Sequence, residues 1–242
     1  HSAVVGVSEI ITLNRKSPGW SGDKYVLDEK YWSEVDRVMH EKYNKSLTEV
    51  PFNLKASLPF YNLALQSNKE ALEAILEISK KSIISDASKN SKRLEALLQS
   101  KSFKVRVIYL VRDGRAIVHA YLRKYKSCWP GLYNLISTDR AARRLMAKHG
   151  SKNWLTIRYE DMATDLEGTL RNICSFSKIN YESLMLHPDT SNFNGLGGNR
   201  LIKRPIDKII LDNVWQTEMP RITRSFTSII VSKFNRRHGY KN

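Results

Sequence analysis

Cysteine, glycine, proline and acidic residues are all scarce in this sequence. Its two cysteines, Cys128 and Cys174, are too few for a disulfide framework, and neither stands in a CxxC or Cys/His spacing typical of metal sites. With 11 glycines and 7 prolines in 242 residues, the chain has no linker-like or low-complexity stretch. These shortages argue against a disulfide-stapled scaffold and a structural metal domain, and they favour one domain over residues 1–242.

Long hydrophobic runs are also missing. No apolar run approaches the ~18 residues of a membrane-spanning helix, and no signal peptide opens the chain. Cys174 falls in the apolar stripe of a predicted helix, which favours a buried free thiol. We therefore expect a reducing, cytoplasmic compartment, with the Golgi lumen as the alternative if an N-terminal anchor precedes His1.

The shortage of acidic residues leaves a large positive charge. Forty Lys and Arg residues against 24 Asp and Glu give a formal charge of +16. Such a surplus indicates contact with anions: nucleic acid, phosphorylated or sulfated small molecules, acidic polysaccharide, or an anionic membrane surface. The hydrophobic content of 41% is ordinary for a globular protein, which excludes a disordered chain.

Strand and helix patterns alternate along the middle of the chain. Short apolar or β-branched runs predict strands, and helical spacing predicts helices between them. The strands are 83–86, 105–111 and 154–158; the helices are 68–80 with Asn68 as its cap, 91–100, 116–125, 138–149 capped by Ser137 or Thr138 and stopped by Gly150, 166–177 and about 220–236. This order predicts an α/β fold, with one parallel sheet of about four to five buried strands, helices on both faces, and a helical insert at about 18–65.

Ligands of such sheets lie beyond the carboxyl ends of the strands. The segments at those ends here begin at Asp86, Arg112 and Tyr159. Arg112-Asp113-Gly114-Arg115 joins a strand to a helix, so its backbone amides and two guanidinium groups suit a phosphate. The alternative is a surface turn in which Asp113 caps the helix and the arginines are solvated.

Several segments occur along the chain in a fixed order: DASK, LVRDGRA, IRYEDMATDLEGTLRNI and GGNRLIKRPIDKIILDNVW, followed by the closing Gly239-Tyr240. Together they resemble the sulfotransferase family, which transfers a sulfuryl group from 3′-phosphoadenosine 5′-phosphosulfate. The resemblance covers essentially the whole chain. The RDGRAxVH wording is most similar to tyrosylprotein sulfotransferases, and the C-terminal third to bacterial and carbohydrate sulfotransferases.

The resemblance implies roles for particular residues. Arg112 matches the arginine that binds the 3′-phosphate of the donor, and Tyr159 matches a residue near the nucleotide. A second phosphate ligand, usually serine, stands eight positions later in the family; here that position is Ala120, with His119 beside it. The family also has a late loop that closes over the 3′-phosphate. Four residues of this chain fall in the matching segment: Asn199, Arg200, Lys203 and Arg204.

The resemblance also implies two catalytic residues. Lys89 matches the lysine that stabilises charge on the transferring sulfuryl group. Glu9 matches the carboxylate that takes the acceptor's proton in tyrosylprotein sulfotransferases, a role that suits a carboxylate near the transferring group. A helix-entry or ion-paired glutamate is the alternative for Glu9.

One family feature is missing from the sequence. The loop that binds the donor's phosphosulfate precedes the Glu9 region in the family, and no GxxxxGK[ST] or RSGS-like turn occurs in this chain. We expect the N-terminal strand, loop and helix of this P-loop-like fold to precede His1, because a natural protein without a central strand would leave an unpaired edge. A degenerate, inactive homologue is the alternative.

The sequence thus predicts sulfuryl transfer from the nucleotide donor to a hydroxyl of a carbohydrate or small-molecule acceptor. No metal is expected, no nucleic acid partner and no membrane span; the oligomeric state stays open. The alternatives are a non-catalytic basic module that binds nucleic acid or sulfated polysaccharide, a tyrosylprotein sulfotransferase, and a nucleotide kinase of related topology.

Overall fold

A computed structural model describes residues 1–13, 27, 29–187 and 209–241. The chain divides into two compact units. The first contains residues 1–104 and the segment that begins at Glu182, and the second contains residues 105–181 and the C-terminal segment. Whether the whole chain is a single domain stays a prediction.

The first unit is built around two parallel strands. Strand β1 (Val4–Ser8) pairs with β2 (Ile83–Asp86), with Val4 opposite Ile83. Helices α1 (Lys30–Tyr43) and α2 (Tyr61–Ser79) connect the two strands, and α3 (Ser91–Ser100) follows β2. Alternate β1 side chains, Val5 and Val7, enter a core that also contains residues of both connecting helices. The parallel pairing runs from Val4 and Ile83 to Gly6 and Ser85, and its register shifts by one residue between Gly6 and Ser8.

The predicted helix cap at Asn68 is wrong, because Asn68 lies inside helix α2. The helix begins at Tyr61, and Asn68 is fully buried inside it. Its amide donates to the carbonyl oxygens of Ala64, at 2.9 Å, and Pro51, at 3.1 Å. The buried stripe starts upstream at Ala64, so apolar burial extends the helix past the residue type that normally caps one.

The predicted insert at 18–65 is described in part. It contains α1 and the first residues of α2. Trp32 of α1 is fully buried and meets Tyr31 edge to face, with ring centroids 5.1 Å apart. This tryptophan therefore serves core packing.

The second unit also contains a parallel strand pair. Strand β3 (Val107–Val111) pairs in register with β4 (Trp154–Arg158). The helices are α4 (Gly114–Tyr125), α5 (Trp129–His149), α6 (Tyr159–Thr164), α7 (Leu166–Ser177), α8 (Trp215–Glu218) and α9 (Arg221–Arg237). Buried residues of β3, α4, α5 and α9 form one core cluster, which holds the end of β3 against the helices.

Helix α5 begins nine residues before the predicted start at Thr138. Pro130 occupies its first turn, where a missing N–H costs nothing, and the buried stripe already includes Leu132 and Leu135. Neither Ser137 nor Thr138 is its cap, because Cys128 stands at that position. Gly150 ends the helix as predicted, with φ +83°.

The α/β class is confirmed, but the strands are arranged differently from the prediction. The described strands form two separate two-stranded parallel sheets, β1–β2 and β3–β4, instead of one sheet of four to five strands. Each pair is closed by its own crossover, whereas the connection through α3 joins β2 to β3 without pairing them. Ile108 and Leu110 of β3 are 45% and 52% exposed, so one face of that strand is less covered than the prediction of buried strands requires. Within the described residues, no helix is long and apolar enough to cross a membrane.

Candidate active site

Glu9 and Lys89 meet at the carboxyl ends of β1 and β2. Glu9 follows β1 directly, and Lys89 lies three residues after the end of β2. Because the two strands are parallel neighbours, these positions come to the same edge of the sheet. Lys89 Nζ donates to Glu9 Oε1 at 2.6 Å. The family resemblance implies catalytic roles for both residues, and the structure brings them together. Glu9 is also ion-paired and stands at the entry of a short 3-10 helix (Ile10–Thr12), as the alternative for this residue holds. The catalytic roles stay a prediction.

The backbone around this pair is held in unusual conformations. Ser8 and Lys89 both have positive φ, +50° and +53°. Non-glycine residues rarely adopt this region, and such positions are concentrated at functional sites. Ala87 N donates to Ser8 O at 2.7 Å, which ties the two strand ends together next to the ion pair.

A partly buried charge network lies next to the Lys89 loop. Asp86, the last residue of β2, accepts a hydrogen bond from Ser88 N at 2.9 Å and one from Arg93 Nε at 3.0 Å. The Arg93 side chain is 2% exposed and also donates to Phe52 O and Asn68 Oδ1. The loop that presents Lys89 is therefore anchored to the core.

The Glu9–Lys89 pair keeps hydrogen-bonding capacity for a ligand. An ammonium has three N–H donors, and the contact with Glu9 uses one of them. The Lys89 side chain is 70% exposed and that of Glu9 is 23% exposed. The pair can therefore present both a proton acceptor and a cation to a substrate.

A second cluster in the other unit surrounds Arg112, which follows β3. The Arg112 guanidinium lies over the ring of Tyr159, 4.6 Å from its centroid. Its Nη2 donates to the Asp212 carbonyl oxygen at 2.7 Å and lies 3.0 Å from Asp212 Oδ2. The Tyr159 hydroxyl donates to Ile210 O at 2.6 Å. The structure thus brings together Arg112 and Tyr159, both predicted to bind the donor, with Asp212, which the sequence did not single out.

The Arg112 guanidinium retains an unsatisfied donor. Its Nε is buried and has no hydrogen-bond partner among the described residues. A buried donor without an acceptor costs about 1–3 kcal/mol. Arg93 Nη2 and Arg158 Nε are likewise buried without a partner, and an anion would reach Arg112 through the part of its side chain that is exposed, 23%. Asp212 ionises readily: its partial burial disfavours the carboxylate, but the hydrogen bond and charge of Arg112 and the Val214 amide outweigh this and lower its pKa.

The backbone amides of the turn do not act as the sequence predicts. Asp113 N donates to Glu160 Oε1 at 3.1 Å, Gly114 N to Asn235 Oδ1 at 2.9 Å, and Arg115 N to Asp113 Oδ1 at 2.8 Å. Side-chain carboxylate and amide oxygens thus already satisfy the donors that would hold an anion at a helix start. An anion at this turn must be bound by the Arg112 side chain.

Arg115, the other arginine of this turn that is expected to suit a phosphate, is also engaged by the protein. It forms a two-pronged contact with Asp113, with Nη2 2.6 Å from Oδ2, and lies over the ring of Trp215 at 4.5 Å from its centroid. It also donates to Lys241 O at 2.7 Å. Asp113 caps the helix, as the alternative reading of this turn holds, but Arg115 is a structural residue and not a solvated one.

The C-terminal end of the chain holds this turn in place. The Tyr240 hydroxyl donates to Glu160 Oε2, and Asn235 Nδ2 donates to Asp113 Oδ1 at 3.2 Å. Burial, together with the neighbouring Glu160 carboxylate, raises the pKa of Tyr240 well above its usual value. Sequence reasoning missed Asn235, because its partners lie more than a hundred residues away and no local pattern marks it.

The other predicted ligands have different outcomes. His119 is buried on α4, with Nε2 3.9 Å from Glu218 Oε2. The late-loop residues lie outside the described residues: Asn199, Arg200, Lys203 and Arg204.

No group of three or more His, Cys, Asp or Glu side chains in the described part of the chain is arranged to hold a metal ion. Cys174 is a buried free thiol, as predicted, and Cys128 is also free.

Comparison with known proteins identifies the family. The model of the sulfotransferase family matches residues 24–183, well over half of the chain. A search of curated protein sequences finds no match. Among the solved structures that match this chain are two sulfotransferase domains of low sequence identity.

The sulfotransferase domain from the curacin biosynthetic pathway matches with a TM-score of 0.53 and 14% identity, over 100% of this chain and 90% of that one. The sulfotransferase domain from the Synechococcus PCC 7002 olefin synthase matches with a TM-score of 0.50 and 15% identity, over 99% of this chain and 95% of that one. These likenesses concern the fold, and the family match concerns the sequence. The chain therefore belongs to the sulfotransferase family, whose enzymes transfer a sulfuryl group from a sulfate donor to a hydroxyl acceptor.

Proposed function

We propose that the protein transfers the sulfuryl group of 3′-phosphoadenosine 5′-phosphosulfate to a hydroxyl of a carbohydrate or another small-molecule acceptor. The observation that carries the choice of donor is the Arg112 cluster. A guanidinium that is partly exposed and stacked on an aromatic ring suits a phosphate held by charge-assisted hydrogen bonds. Family membership favours this enzymatic role over a binding module without catalysis.

Arg112 binds the 3′-phosphate in this proposal. The phosphate takes the place of the Asp212 carboxylate, whose Oδ2 lies 3.0 Å from Nη2, and gives the guanidinium a partner of higher charge. Tyr159 keeps the guanidinium plane oriented through their stacking contact. The donor brings the activated sulfuryl group, and the cluster supplies recognition of the nucleotide end.

Glu9 and Lys89 carry the transfer step. The acceptor oxygen forms a bond to sulfur, while the bond from sulfur to the bridging phosphate oxygen breaks and its electron pair stays on the leaving phosphate. Glu9 accepts the acceptor's proton, and Lys89 donates hydrogen bonds to the oxygens on which negative charge develops. Their 2.6 Å contact holds both groups in position before the substrates bind, which lowers the entropic cost of the reaction.

Calorimetry with 3′-phosphoadenosine 5′-phosphate tests the donor assignment. The Arg112→Ala variant loses a charge-assisted contact of ~1.5–3 kcal/mol, so its affinity falls roughly ten- to hundredfold. Arg106→Ala is the matched control, because it removes the same charge at an exposed position away from the cluster, where Arg106 donates to Ser177 O at 2.5 Å. Equal affinities of the Arg112→Ala variant and the wild type contradict the proposal.

A second ligand identifies which phosphate Arg112 binds. Adenosine 5′-phosphosulfate lacks the 3′-phosphate, so its weaker binding is unchanged by Arg112→Ala if the contact is to that group. A parallel loss of affinity for both nucleotides assigns Arg112 to another part of the donor. The acceptor is tested separately with a panel of glycans, small alcohols and tyrosine peptides, and sulfation of the peptides alone contradicts the acceptor class.

A further inference from the structure

Six large hydrophobic side chains are exposed on two neighbouring helices of the second unit. Tyr133, Ile222 and Ile229 are 77%, 86% and 74% exposed. Trp129 and Ile136 of α5 and Phe226 of α9 are also exposed. These helices use other residues for the core, among them Leu132 and Val231, so interior packing does not account for the exposed set. Large exposed apolar patches mark interaction sites.

The six side chains form one continuous surface. On α5 the residues 129, 133 and 136, and on α9 the residues 222, 226 and 229, follow the i, i+4, i+7 spacing of a single helix face. Trp129 and Phe226 join the two stripes edge to face, with ring centroids 5.8 Å apart. Farther along both helices, Arg237 Nη1 lies 2.6 Å from Asp139 Oδ2, so the helices run side by side in the same direction.

The same two stripes become basic toward their carboxyl ends. The next positions of the α5 stripe are Arg140 and Arg143, and those of the α9 stripe are Lys233 and Arg236. Neither stripe contains an acidic residue over these positions; Asp139, beside them, is buried and paired with Arg143 and Arg237. We call the ten stripe residues the α5/α9 face: it is apolar and aromatic at one end and cationic at the other.

We propose that the α5/α9 face binds the surface of an anionic phospholipid bilayer. Its apolar end supplies isoleucine and phenylalanine side chains for the acyl boundary, and Trp129 and Tyr133 have the amphipathic rings that favour the headgroup level. Its cationic end attracts the negative charge of the lipid headgroups. The proposal does not depend on the nature of the sulfuryl donor or acceptor.

Charge complementarity favours this occupant over a second copy of the chain. Self-association through the face would bring two chains of formal charge +16 into proximity. An acidic protein would satisfy the cations, but it is not needed to explain why tryptophan, tyrosine and aliphatic residues stand next to them. The experiment below distinguishes a bilayer from both alternatives, a second copy of the chain and an acidic protein.

Vesicle flotation of the whole protein tests the proposal. Vesicles of phosphatidylcholine mixed with phosphatidylglycerol bind the protein, and vesicles of phosphatidylcholine alone bind it far less. The variant Lys233→Gln/Arg236→Gln lowers the affinity for anionic vesicles roughly thirtyfold, since each interfacial cation is worth ~1 kcal/mol. The variant Ile222→Ser/Ile229→Ser lowers it at least about tenfold, since it removes two apolar side chains from the boundary.

Matched variants in the first unit serve as controls. Phe60→Ser/Leu63→Ser removes two side chains that are 76% and 63% exposed, and Lys92→Gln/Lys104→Gln removes two exposed cations. Both leave binding within about twofold of the wild type, the scatter expected for sites away from the contact. Trp129 emission shifts to shorter wavelength on anionic vesicles, and Trp129→Phe abolishes that shift.

Four outcomes overturn the proposal. The first is the absence of binding to anionic vesicles. The second is equal loss of binding in the face variants and the first-unit controls, which indicates non-specific charge attraction. The third is a solution dimer that the Ile222→Ser/Ile229→Ser variant dissociates, which assigns the face to a second copy. The fourth is binding of poly-glutamate but not of vesicles, which assigns it to an acidic protein.

Discussion

Arg112 and Asp212 form a double contact: the guanidinium donates to the Asp212 carbonyl oxygen at 2.7 Å and lies 3.0 Å from its carboxylate. The carbonyl contact anchors the segment after residue 208 to the end of β3. The carboxylate contact has a different consequence, because it occupies the donor atoms that an incoming phosphate needs. Asp212 therefore acts as an internal competitor of the proposed donor.

The first prediction concerns this competition. In Asp212→Asn the carbonyl contact is kept and the competing charge is removed, so 3′-phosphoadenosine 5′-phosphate binds several-fold more tightly, in line with the 0.5–1.5 kcal/mol of an ordinary hydrogen bond. Calorimetry measures the change. Asp161→Asn alters the net charge equally but lies 3.9 Å from Arg158 and not at Arg112, so it leaves the affinity nearly unchanged. Unchanged or weaker binding by Asp212→Asn contradicts the competition.

The second prediction concerns the turn after β3. Asn235 is 1% exposed and links Gly114 N to Asp113 Oδ1. Asn235→Ala therefore leaves the buried Gly114 N–H without a partner and removes one of the hydrogen bonds to Asp113 Oδ1, which keeps those from Arg115. The expected loss in the free energy of unfolding is ~2–4 kcal/mol. Urea denaturation measures it. Asn134→Ala, at an exposed position of α5, changes the stability by less than ~0.5 kcal/mol, and a similar small loss for Asn235→Ala shows that the turn does not need this link.

Gly114 gives the third prediction. A Cβ at this position would lie 2.9 Å from Val231 Cβ and 3.0 Å from Leu135 Cδ2, so the turn needs glycine for close approach to α9 and α5. Gly114→Ala costs ~1–3 kcal/mol through overpacking, although alanine is the better helix former. It also weakens nucleotide binding, because Arg112 moves with the turn. Denaturation that shows equal or greater stability contradicts this account.

The fourth prediction is a loss of stability in alkali. Burial, with a smaller contribution from the Asp139 charge, raises the pKa of Tyr109 to about 12, and burial with Glu160 raises that of Tyr240. Unfolded tyrosines lose their protons near pH 10, so the folded state binds more protons above that pH. The stabilising effect is complete below pH ~10 and is lost as the pH rises through the folded values.

Denaturation at several pH values tests the assignment to Tyr240. In Tyr240→Phe, stability declines less steeply between pH ~10 and 12 than in the wild type, because one of the protons that link folding to pH is gone. Tyr133→Phe, at a position that is 77% exposed, leaves the slope unchanged. Identical slopes for Tyr240→Phe and the wild type exclude Tyr240 as a source of the decline.

The local elements of this fold follow from the sequence, and the pairing of the strands does not. Apolar periodicity places β4 and α7 at the residues observed, because a short run or stripe reports its own burial. Periodicity does not say which strands are neighbours, so a single sheet is predicted where the described strands form two pairs. At Asn68, tertiary burial overrides a residue type that normally caps helices.

The site shows the same division. Lys89, Arg112 and Tyr159 are identifiable because each comes after a predicted strand and carries suitable chemistry. Glu9 is identified by the family resemblance alone, because no strand is predicted before it. The engagement of the turn amides is not identifiable, since it depends on side chains from distant segments such as Glu160 and Asn235. Whether a helix start can bind an anion depends on side chains from distant parts of the chain. The four residues from Arg112 to Arg115 do not indicate which side chains those are.

The last prediction concerns Glu9, and it rests on the proposed transfer reaction. If Glu9 accepts the acceptor's proton, Glu9→Gln lowers kcat ~10²–10⁴-fold, the contribution of general acid–base catalysis. The assay uses a form of the enzyme that carries the loop for the donor's phosphosulfate. The amide still accepts a hydrogen bond from Lys89, which lies 2.6 Å from Oε1 in the wild type, so the affinity for 3′-phosphoadenosine 5′-phosphate stays the same. Glu34→Gln, an exposed partner of Arg37, is the control and keeps full turnover. Wild-type turnover by Glu9→Gln excludes Glu9 as the base, whereas lost nucleotide affinity assigns it to donor binding through Lys89.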